Sequence, residues 1–182
     1  MRIIAGSARS LPLKAVPGTE TRPTTDRIKE TLFNILQNDV PGSYFLDLFA
    51  GSGQIGLEAL SRGAQYAVFV DSGKKPAACI ADNIRFTGFD KTSRLYASDV
   101  ISALRAMEGT YQFDIIFMDP PYQQNLEKDV LRYLSESSLL KKDTLIIVEA
   151  ALQTDFDYLS EFGYTLARLK TYKTNEHAFI RK

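Results

Sequence analysis

The sequence predicts an α/β fold, a doubly wound and mostly parallel sheet of seven strands with helices on both faces. Five short apolar runs, at 44–48, 66–70, 93–97, 113–118 and 144–148, alternate with helix-like segments near 54–61, 74–86, 99–107 and 125–136. Strands that are apolar on both faces and separated by helices are typical of a parallel sheet buried on both sides. After a short helix near 155–161, the extended segments 164–172 and 176–181 are joined by only a few residues, which predicts an antiparallel hairpin.

A helix is predicted before the first of these strands. Residues 1–24 predict short strands and loops that can form a hairpin, because glycine or proline interrupts them at five positions. Thr24 or Thr25 can then cap the helix, and Asp26 complements its dipole. The predicted apolar face of this helix consists of Ile28, Leu32, Ile35 and Leu36.

Length and composition predict a single domain over 1–182, with 1–24 as an N-terminal extension and 25–182 as the core. The 182 residues are 45% hydrophobic, which is enough for a sizeable core. The 22 basic and 22 acidic residues balance, so net charge gives no reason to expect nucleic acid or an anionic membrane as a partner. The charges are unevenly spread, however, because residues 1–31 are net +3 and the remainder is net −3.

Cysteine usage and hydropathy predict a cytoplasmic protein with no membrane segment. Cys79 is the only cysteine, so it cannot form an internal disulfide, and its spacing in a helical segment predicts buried packing. No apolar stretch reaches the roughly 18 residues that a membrane span requires, and no signal peptide precedes the fold. His177, the only histidine, is expected to lie in the terminal hairpin away from the site, in a surface or structural role. Neither residue indicates a metal site.

A glycine-rich loop follows the first parallel strand. In DLFAGSGQIG, the glycines Gly51, Gly53 and Gly56 have the spacing G-x-G-x-x-G, which allows a tight turn and the close approach of a ligand. The same glycines can also serve only to turn the chain from strand to helix. The next strand ends in Asp71, 20 residues after Gly51, where an acid can hold both hydroxyls of a ribose. The combination favours a nucleoside-bearing cofactor.

The charges around this loop favour S-adenosylmethionine over a dinucleotide. Ligands of a doubly wound sheet bind outside the carboxyl ends of the strands. Four successive strands end at or near an acid, namely Asp47, Asp71, Asp99 and Asp119. A pyrophosphate would meet these carboxylates with little positive charge nearby, whereas the ammonium, sulfonium, ribose and adenine of S-adenosylmethionine are groups that acids recognise.

The fourth strand ends in the tetrapeptide Asp119-Pro120-Pro121-Tyr122. Two successive prolines donate no backbone hydrogen bond and hold the chain extended, so no regular structure continues through them. The tetrapeptide therefore either only ends a strand or forms a rigid mount for chemistry. In the structural alternative, Asp119 caps a loop and Tyr122 belongs to the core.

Together these motifs resemble the Rossmann-like class I methyltransferases that modify exocyclic amino groups of bases. The matching stretches are DLFAGSG, Asp71, SDV at 98–100 and DPPY at 119–122. More narrowly, TRPTTDRIKETLFNIL at 21–36 followed by DLFAGSGQIGLEALSRGA at 47–64 resembles the bacterial RsmD family. The resemblance implies transfer of a methyl group from S-adenosyl-L-methionine to N2 of a guanine in 16S rRNA, in the small ribosomal subunit or an assembly intermediate.

The resemblance also implies roles for individual positions. Asp47 and the loop of Gly51 to Gly53 would hold the methionine part, Asp71 the ribose, Asp99 the adenine amino group and the Val100 amide a ring nitrogen. The implied cofactor-binding residues are Asp47, Phe49, Gly51, Ser52, Gly53, Asp71, Ser72, Asp99 and Val100. The implied catalytic residues are Asp119 and the Pro120 carbonyl, which accept the amino hydrogens, and Tyr122, which stacks on the extruded base.

Positive charge near the N-terminus predicts the RNA surface. Because the pocket edge is acidic, we expect basic residues of the segment 1–31 to offset its repulsion of phosphate. The expected RNA contacts are Arg9, Arg22, Thr24, Arg27 and Tyr122. Alternatively, Arg22 and Arg27 pair with Asp26 or Glu30 and only order the start of the helix.

Three other functions remain open from the sequence. A DNA-adenine N6 methyltransferase shares DPPY, but such enzymes generally add a target-recognition region, and only about 24 residues precede the first clear helix here. A noncatalytic RNA-binding module with a vestigial cofactor pocket is disfavoured by the intact Asp119 and glycine loop. An NAD-dependent oxidoreductase fits the glycines but gives the DPPY tetrapeptide no role.

Overall fold

The computed structural model describes residues 1–18, 25–122 and 124–182. The helices in these ranges are α1 (Asp26–Ile35), α2 (Gln54–Ser61), α3 (Lys74–Thr87), α4 (Val100–Met107) and α5 (Leu126–Leu134), with short 3-10 helices at Asp90–Thr92 and Asp157–Phe162. The strands are β1 (Tyr44–Leu48), β2 (Tyr66–Val70), β3 (Ser93–Tyr96), β4 (Phe113–Met118), β5 (Leu140–Ala150), β6 (Thr165–Thr171) and β7 (Glu176–Arg181).

The seven strands form one sheet in the order β3-β2-β1-β4-β5-β7-β6. The strands β1 to β5 are parallel to their neighbours, whereas β7 runs antiparallel to both β5 and β6. The strand order reverses between β1 and β4, and ligands of open α/β sheets bind at such a switch point, outside the carboxyl ends of the strands. The predicted parallel sheet with an antiparallel C-terminal hairpin is therefore confirmed.

Both faces of the sheet are buried, because alternate residues of each strand point to opposite sides. On one side Phe45, Phe69 and Phe117 pack in a cluster that includes Leu32 of α1 and Ile80 of α3. On the other side Leu46, Val68 and Met118 pack in a second cluster with residues of α4 and α5. The apolar runs of the sequence are thus central strands covered on both faces. No helix in the described ranges is long and apolar enough to cross a membrane.

The N-terminal segment packs on the first of these clusters. Ile3, Ala8 and Leu13 are buried in it, and an antiparallel bridge between Arg2 and Pro12 closes the predicted hairpin. Thr25 is the helix cap in the structure, since its hydroxyl accepts from the Ile28 amide nitrogen at 3.3 Å.

A buried carboxylate fastens the N-terminal segment to the core. Glu58 in α2 accepts from the amide nitrogens of Ile4 and Ala5, at 2.7 and 3.1 Å, and from Arg62 Nε at 2.8 Å. Lys29 Nζ lies 3.6 Å from the same carboxylate, and both side chains are fully buried. Burial lowers the pKa of Lys29, and the charge of Glu58 opposes this effect. Glu58 therefore joins the segment, α1 and α2.

Candidate active site

Five acids lie along one edge of the sheet, where the parallel strands end. They are Asp47 near the end of β1, Asp71 directly after β2, Asp99 after β3, Asp119 directly after β4 and Glu149 near the end of β5. The first four match the prediction from sequence. The topology thus gathers negative charge at the edge where a ligand of this fold would bind.

The glycine loop between β1 and α2 is in the left-handed conformation at several residues. Gly51 and Gly53 have φ angles of 58° and 77°, which favour glycine, and Phe49 has a φ of 59°, which is strained for an aromatic residue. A Cβ atom at Gly51 would meet nothing within 4 Å. At Gly51 the backbone therefore faces open space that a ligand can enter.

The third glycine of the motif has a packing role. A Cβ atom at Gly56 would lie 2.3 Å from Cε1 of Phe69, so only glycine lets α2 approach β2 this closely. The Gly56 amide nitrogen also donates to Asp47 Oδ2 at 2.8 Å. Asp47 thereby joins the end of β1 to the first turn of α2.

Asp47 is a buried acid that forms no ion pair with a lysine or arginine in the part of the chain that the structure describes. Its side chain is 1% exposed, and burial raises its pKa to about 8; the Gly56 amide opposes this effect and the charge of Asp71 adds to it. No lysine or arginine occurs from Asp47 to Gly56. Gln54, in the first turn of α2, has a buried Oε1 with no hydrogen-bond partner among the described residues. A positively charged donor would satisfy both groups, and sequence reasoning missed Gln54 because a glutamine after a glycine loop carries no distinctive signal.

Asp71 connects the glycine loop to the loop before α3. Its Oδ2 accepts from the Gly51 amide nitrogen and its Oδ1 from the Gly73 amide nitrogen, both at 2.9 Å. An ionised carboxylate has about four acceptor sites, so two sites remain for other donors. Ser72, beside it, is exposed.

The start of α4 lies next along the same edge. Asp99 caps this helix by accepting from the Ser102 amide nitrogen at 2.9 Å, and that hydrogen bond lowers the pKa of Asp99. Val100 is the first residue of the helix, and an amide at this position has no acceptor within its own helix. An exposed carboxylate and an N–H with no acceptor in its own helix are therefore adjacent.

The DPPY tetrapeptide follows β4 at the centre of the sheet. Met118 pairs with Val148 in the parallel register, so the next residues, Asp119 and Glu149, are neighbours on adjacent strands. Burial raises the pKa of Asp119 well above its usual range, and the charges of Glu149 and Asp47 raise it further. Pro120 is buried.

The aromatic ring of the tetrapeptide is partly exposed. Tyr122 is 46% exposed, although partial burial, together with the charges of Glu149 and Asp119, raises its pKa to about 12. An exposed aromatic ring beside two acids can stack on a flat ligand. The structural alternative, in which Tyr122 belongs to the core, does not fit this exposure.

Three residues at this end of the sheet were not predicted as part of the site. Glu149 Oε1 accepts from Asn175 Nδ2 at 2.6 Å, and Glu149 Oε2 lies 3.1 Å from His177 Nε2. The expectation that His177 lies away from the site is wrong, because β7 pairs with β5 and puts His177 opposite Glu149, fully buried. The position of Glu149 at the end of an apolar strand was a signal of the same kind as the other four acids. Cys79 is buried, as predicted.

The predicted RNA contacts are spread over different parts of the molecule. Arg27 is exposed in the first turn of α1, and Asp26 beside it pairs with Arg2 at 3.0 Å. Among the described residues no ion pair joins Arg27 to Asp26 or Glu30, so the alternative is not seen for Arg27. Met1, which precedes Arg2 in the chain, contacts the glycine loop, since its Sδ accepts from Ser52 Oγ at 3.2 Å. Arg22 and Thr24 lie outside the described residues.

Arg9 lies at the other end of α2. The Ser7 amide nitrogen donates to the backbone oxygen of Ser61, the last residue of α2, at 2.8 Å. The Ala8 amide nitrogen donates to Ser61 Oγ at 2.9 Å. The eight-residue helix separates this point from the glycine loop by about 12 Å, at 1.5 Å per residue. The structure therefore does not bring Arg9 together with Asp119.

Comparison with known proteins gives a consistent set of relatives. A family model described as Conserved hypothetical protein 95 matches residues 1–180. Ribosomal RNA small subunit methyltransferase D of Haemophilus influenzae is 35% identical over 172 residues, which is 94% of this chain and 88% of that protein. The protein of the same name from Escherichia coli K12 is 37% identical over 155 residues, 84% of this chain and 76% of that protein.

Solved structures agree with the predicted fold. The structure of a hypothetical protein from Thermus thermophilus superposes with a TM-score of 0.85 at 29% identity, over 100% of this chain and 99% of that one. A structure described as putative methyltransferase yhhF from Escherichia coli superposes with a TM-score of 0.84 at 32% identity, over 100% of this chain and 97% of that one. Together with the strand order, these neighbours confirm the class I methyltransferase fold.

Proposed function

The chain belongs to the RsmD family, the family of the Conserved hypothetical protein 95 model, and we propose that it methylates RNA of the small ribosomal subunit with S-adenosylmethionine. We propose N2 of a guanine in 16S rRNA as the acceptor. The observation that carries the proposal is the juxtaposition of an open glycine loop, a row of acids and the DPPY tetrapeptide at one edge of the sheet.

The residues at this edge suit S-adenosylmethionine. When bound, this cofactor supplies a methyl group on a positively charged sulfur. Asp47 and Gln54 carry buried acceptors suited to the ammonium of the methionine part, beside the loop from Phe49 to Gly53. The free acceptor sites of Asp71 suit the two ribose hydroxyls. Asp99 and the Val100 amide suit the amino group and a ring nitrogen of adenine, with Ser72 nearby.

Asp119 and the Pro120 carbonyl are proposed to act on the base amino group. This nitrogen is a poor nucleophile, because its lone pair is delocalised into the ring. Two acceptors for its hydrogens stabilise the positive charge that develops as the N–C bond forms. Burial raises the pKa of Asp119, so this carboxyl group can also take up the proton that the nitrogen must release. Tyr122 would stack on the base once it leaves its helix or loop.

Arg27 supports a contact between the start of α1 and the RNA backbone. It is exposed and makes no ion pair within the described ranges, and its neighbour Asp26 pairs with Arg2, the residue that follows Met1 at the glycine loop. Arg22 and Thr24 remain predicted contacts. The substrate is proposed to be 16S rRNA in the subunit or an assembly intermediate, which implies a cytoplasmic location.

Asp71→Ala is expected to weaken S-adenosylmethionine binding by roughly 10²-fold or more, since it removes charged hydrogen bonds to both hydroxyls. The measurement is calorimetric titration of cofactor and of its demethylated product. Asp90→Ala, which removes an exposed acid outside the site, should bind as the wild type does. Equal affinity of Asp71→Ala and wild type, or binding of NAD in place of S-adenosylmethionine, would refute the cofactor assignment.

The function itself is tested by methyl transfer from labelled cofactor to purified 16S rRNA, to assembled small subunits from cells that lack the native activity, and to duplex DNA. We expect label in one of the two ribosomal samples and none in DNA. Label in DNA alone, or in no sample while the cofactor binds, would contradict the proposal.

A further inference from the structure

The acid beside Asp119 is held in a fixed orientation by two donors. Asn175 Nδ2 donates to one oxygen of Glu149 at 2.6 Å, and the other oxygen lies 3.1 Å from His177 Nε2. His177 Nδ1 in turn lies 3.3 Å from the Tyr172 hydroxyl oxygen. Glu149, Asn175 and His177 are each at least nine-tenths buried. A buried carboxylate held in one orientation is suited to the recognition of a ligand.

This part of the site contains more acceptors than donors. Asp119 and Glu149 are adjacent, and neither forms an ion pair with a lysine or arginine of the described chain. Asn175 Oδ1 is also buried, with no hydrogen-bond partner among the described residues. Buried polar groups in native proteins are nearly always paired, and an unpaired one requires an explanation. A ligand rich in N–H groups would supply the missing donors.

Guanine has such an edge. Its N2 amino group carries two hydrogens and the neighbouring N1 carries a third, whereas adenine has a bare, electron-rich N1 beside its amino group. A carboxylate opposite N1 therefore attracts guanine and repels adenine. Enzymes that act on a flipped base read it through this edge.

We propose that the Glu149 carboxylate, positioned by Asn175 and His177, accepts the guanine N1–H beside Asp119 and so selects guanine over adenine. The inference rests on the proposed methyltransferase function. Asp119, after β4, then accepts a hydrogen bond from the amino group, and Glu149, on the adjacent strand β5, accepts one from the ring N–H. Asn175 and His177 are positioning residues, because they act through Glu149.

The test compares guanine with 2-aminopurine at the methylated position of otherwise identical RNA. 2-Aminopurine keeps the amino group but has no hydrogen on N1. Single-turnover rates are measured with labelled cofactor on ligated rRNA, assembled into subunits if the naked RNA is not a substrate. The wild type is expected to prefer guanine by roughly 10²-fold or more, because a site built to bond an N–H rejects the analogue that lacks it.

Glu149→Gln separates this contact from other differences between the two bases. The glutamine amide can donate to a bare N1, so the preference for guanine should fall at least about tenfold, while cofactor affinity is unchanged. The matched control is Glu176→Gln. Glu176 is also buried and precedes His177 in β7, but its carboxylate accepts from the Thr154 amide nitrogen. The preference of Glu176→Gln for guanine should therefore equal that of the wild type.

The outcomes distinguish this inference from the function on which it rests. Transfer to guanine RNA with equal rates on 2-aminopurine by the wild type overturns the role of Glu149, even if Glu149→Gln does not fold. An unchanged preference in folded Glu149→Gln also overturns it. Absence of transfer to any guanine RNA by the wild type overturns the proposed function as well.

Discussion

Asp119→Ala is expected to lower the rate of methyl transfer by roughly 10²-fold or more, because it removes one preorganised group that stabilises developing charge. The carboxylate lies at the end of the central strand β4, and it is neither a ligand of the glycine loop nor part of a helix cap. Cofactor affinity should therefore stay within about twofold of wild type. Single-turnover transfer and calorimetric titration measure the two effects separately.

Asp143→Ala provides the matched control, because this acid is exposed at the opposite edge of the same sheet. It should transfer methyl groups at the wild-type rate. If Asp119→Ala also reacts at that rate, Asp119 has no catalytic role and the tetrapeptide only ends the strand.

Glu58→Ala is expected to lower the free energy of unfolding by about 3–5 kcal/mol, since it leaves a buried charge unpaired. The substitution leaves the buried Lys29 without its carboxylate partner and removes the acceptor of the Ile4 and Ala5 amides. This loss is a large part of the roughly 5–15 kcal/mol that stabilises a typical domain. Urea unfolding monitored by circular dichroism measures it.

Glu30→Ala is the control for this effect. Glu30 is exposed on α1, next to Lys29, and its removal should change stability by less than about 0.5 kcal/mol. Equal midpoints for Glu58→Ala and Glu30→Ala would mean that the buried pair does not anchor the N-terminal segment.

Most of the sheet could be predicted from hydrophobic pattern alone. Strands β1, β2 and β4 have the predicted bounds, because both faces of a central strand are buried and its ends are marked by polar residues. The strand β5 begins at Leu140 rather than at 144, because Lys141, Lys142 and Asp143 hide its start. Lys141 Nζ pairs with Asp114 Oδ1 of β4 at 2.6 Å. The first residues of β5 therefore contact β4 through an ion pair, which a search for apolar periodicity does not detect.

The site residues that lie at the ends of sequence-marked strands could be predicted. The residues that reach the site only through the placement of β7 between β5 and β6 could not. Asp47, Asp71, Asp99 and Asp119 each follow or end a strand that the sequence marks. His177 reaches the site only because β7 lies between β5 and β6, a pairing that connection length does not specify. Its partner Glu149 is 28 residues away in the chain, so no local pattern joins them.

The proposed product of this chain is a small-subunit rRNA with a methyl group on N2 of one guanine. The most direct measurement is complete digestion of RNA methylated by the purified protein, followed by chromatography and mass spectrometry of the nucleosides. We predict that the added methyl group is recovered as N2-methylguanosine. Recovery as N6-methyladenosine, or as a guanosine methylated on a ring nitrogen, would show that Asp119 and Glu149 do not present N2 of guanine to the methyl group.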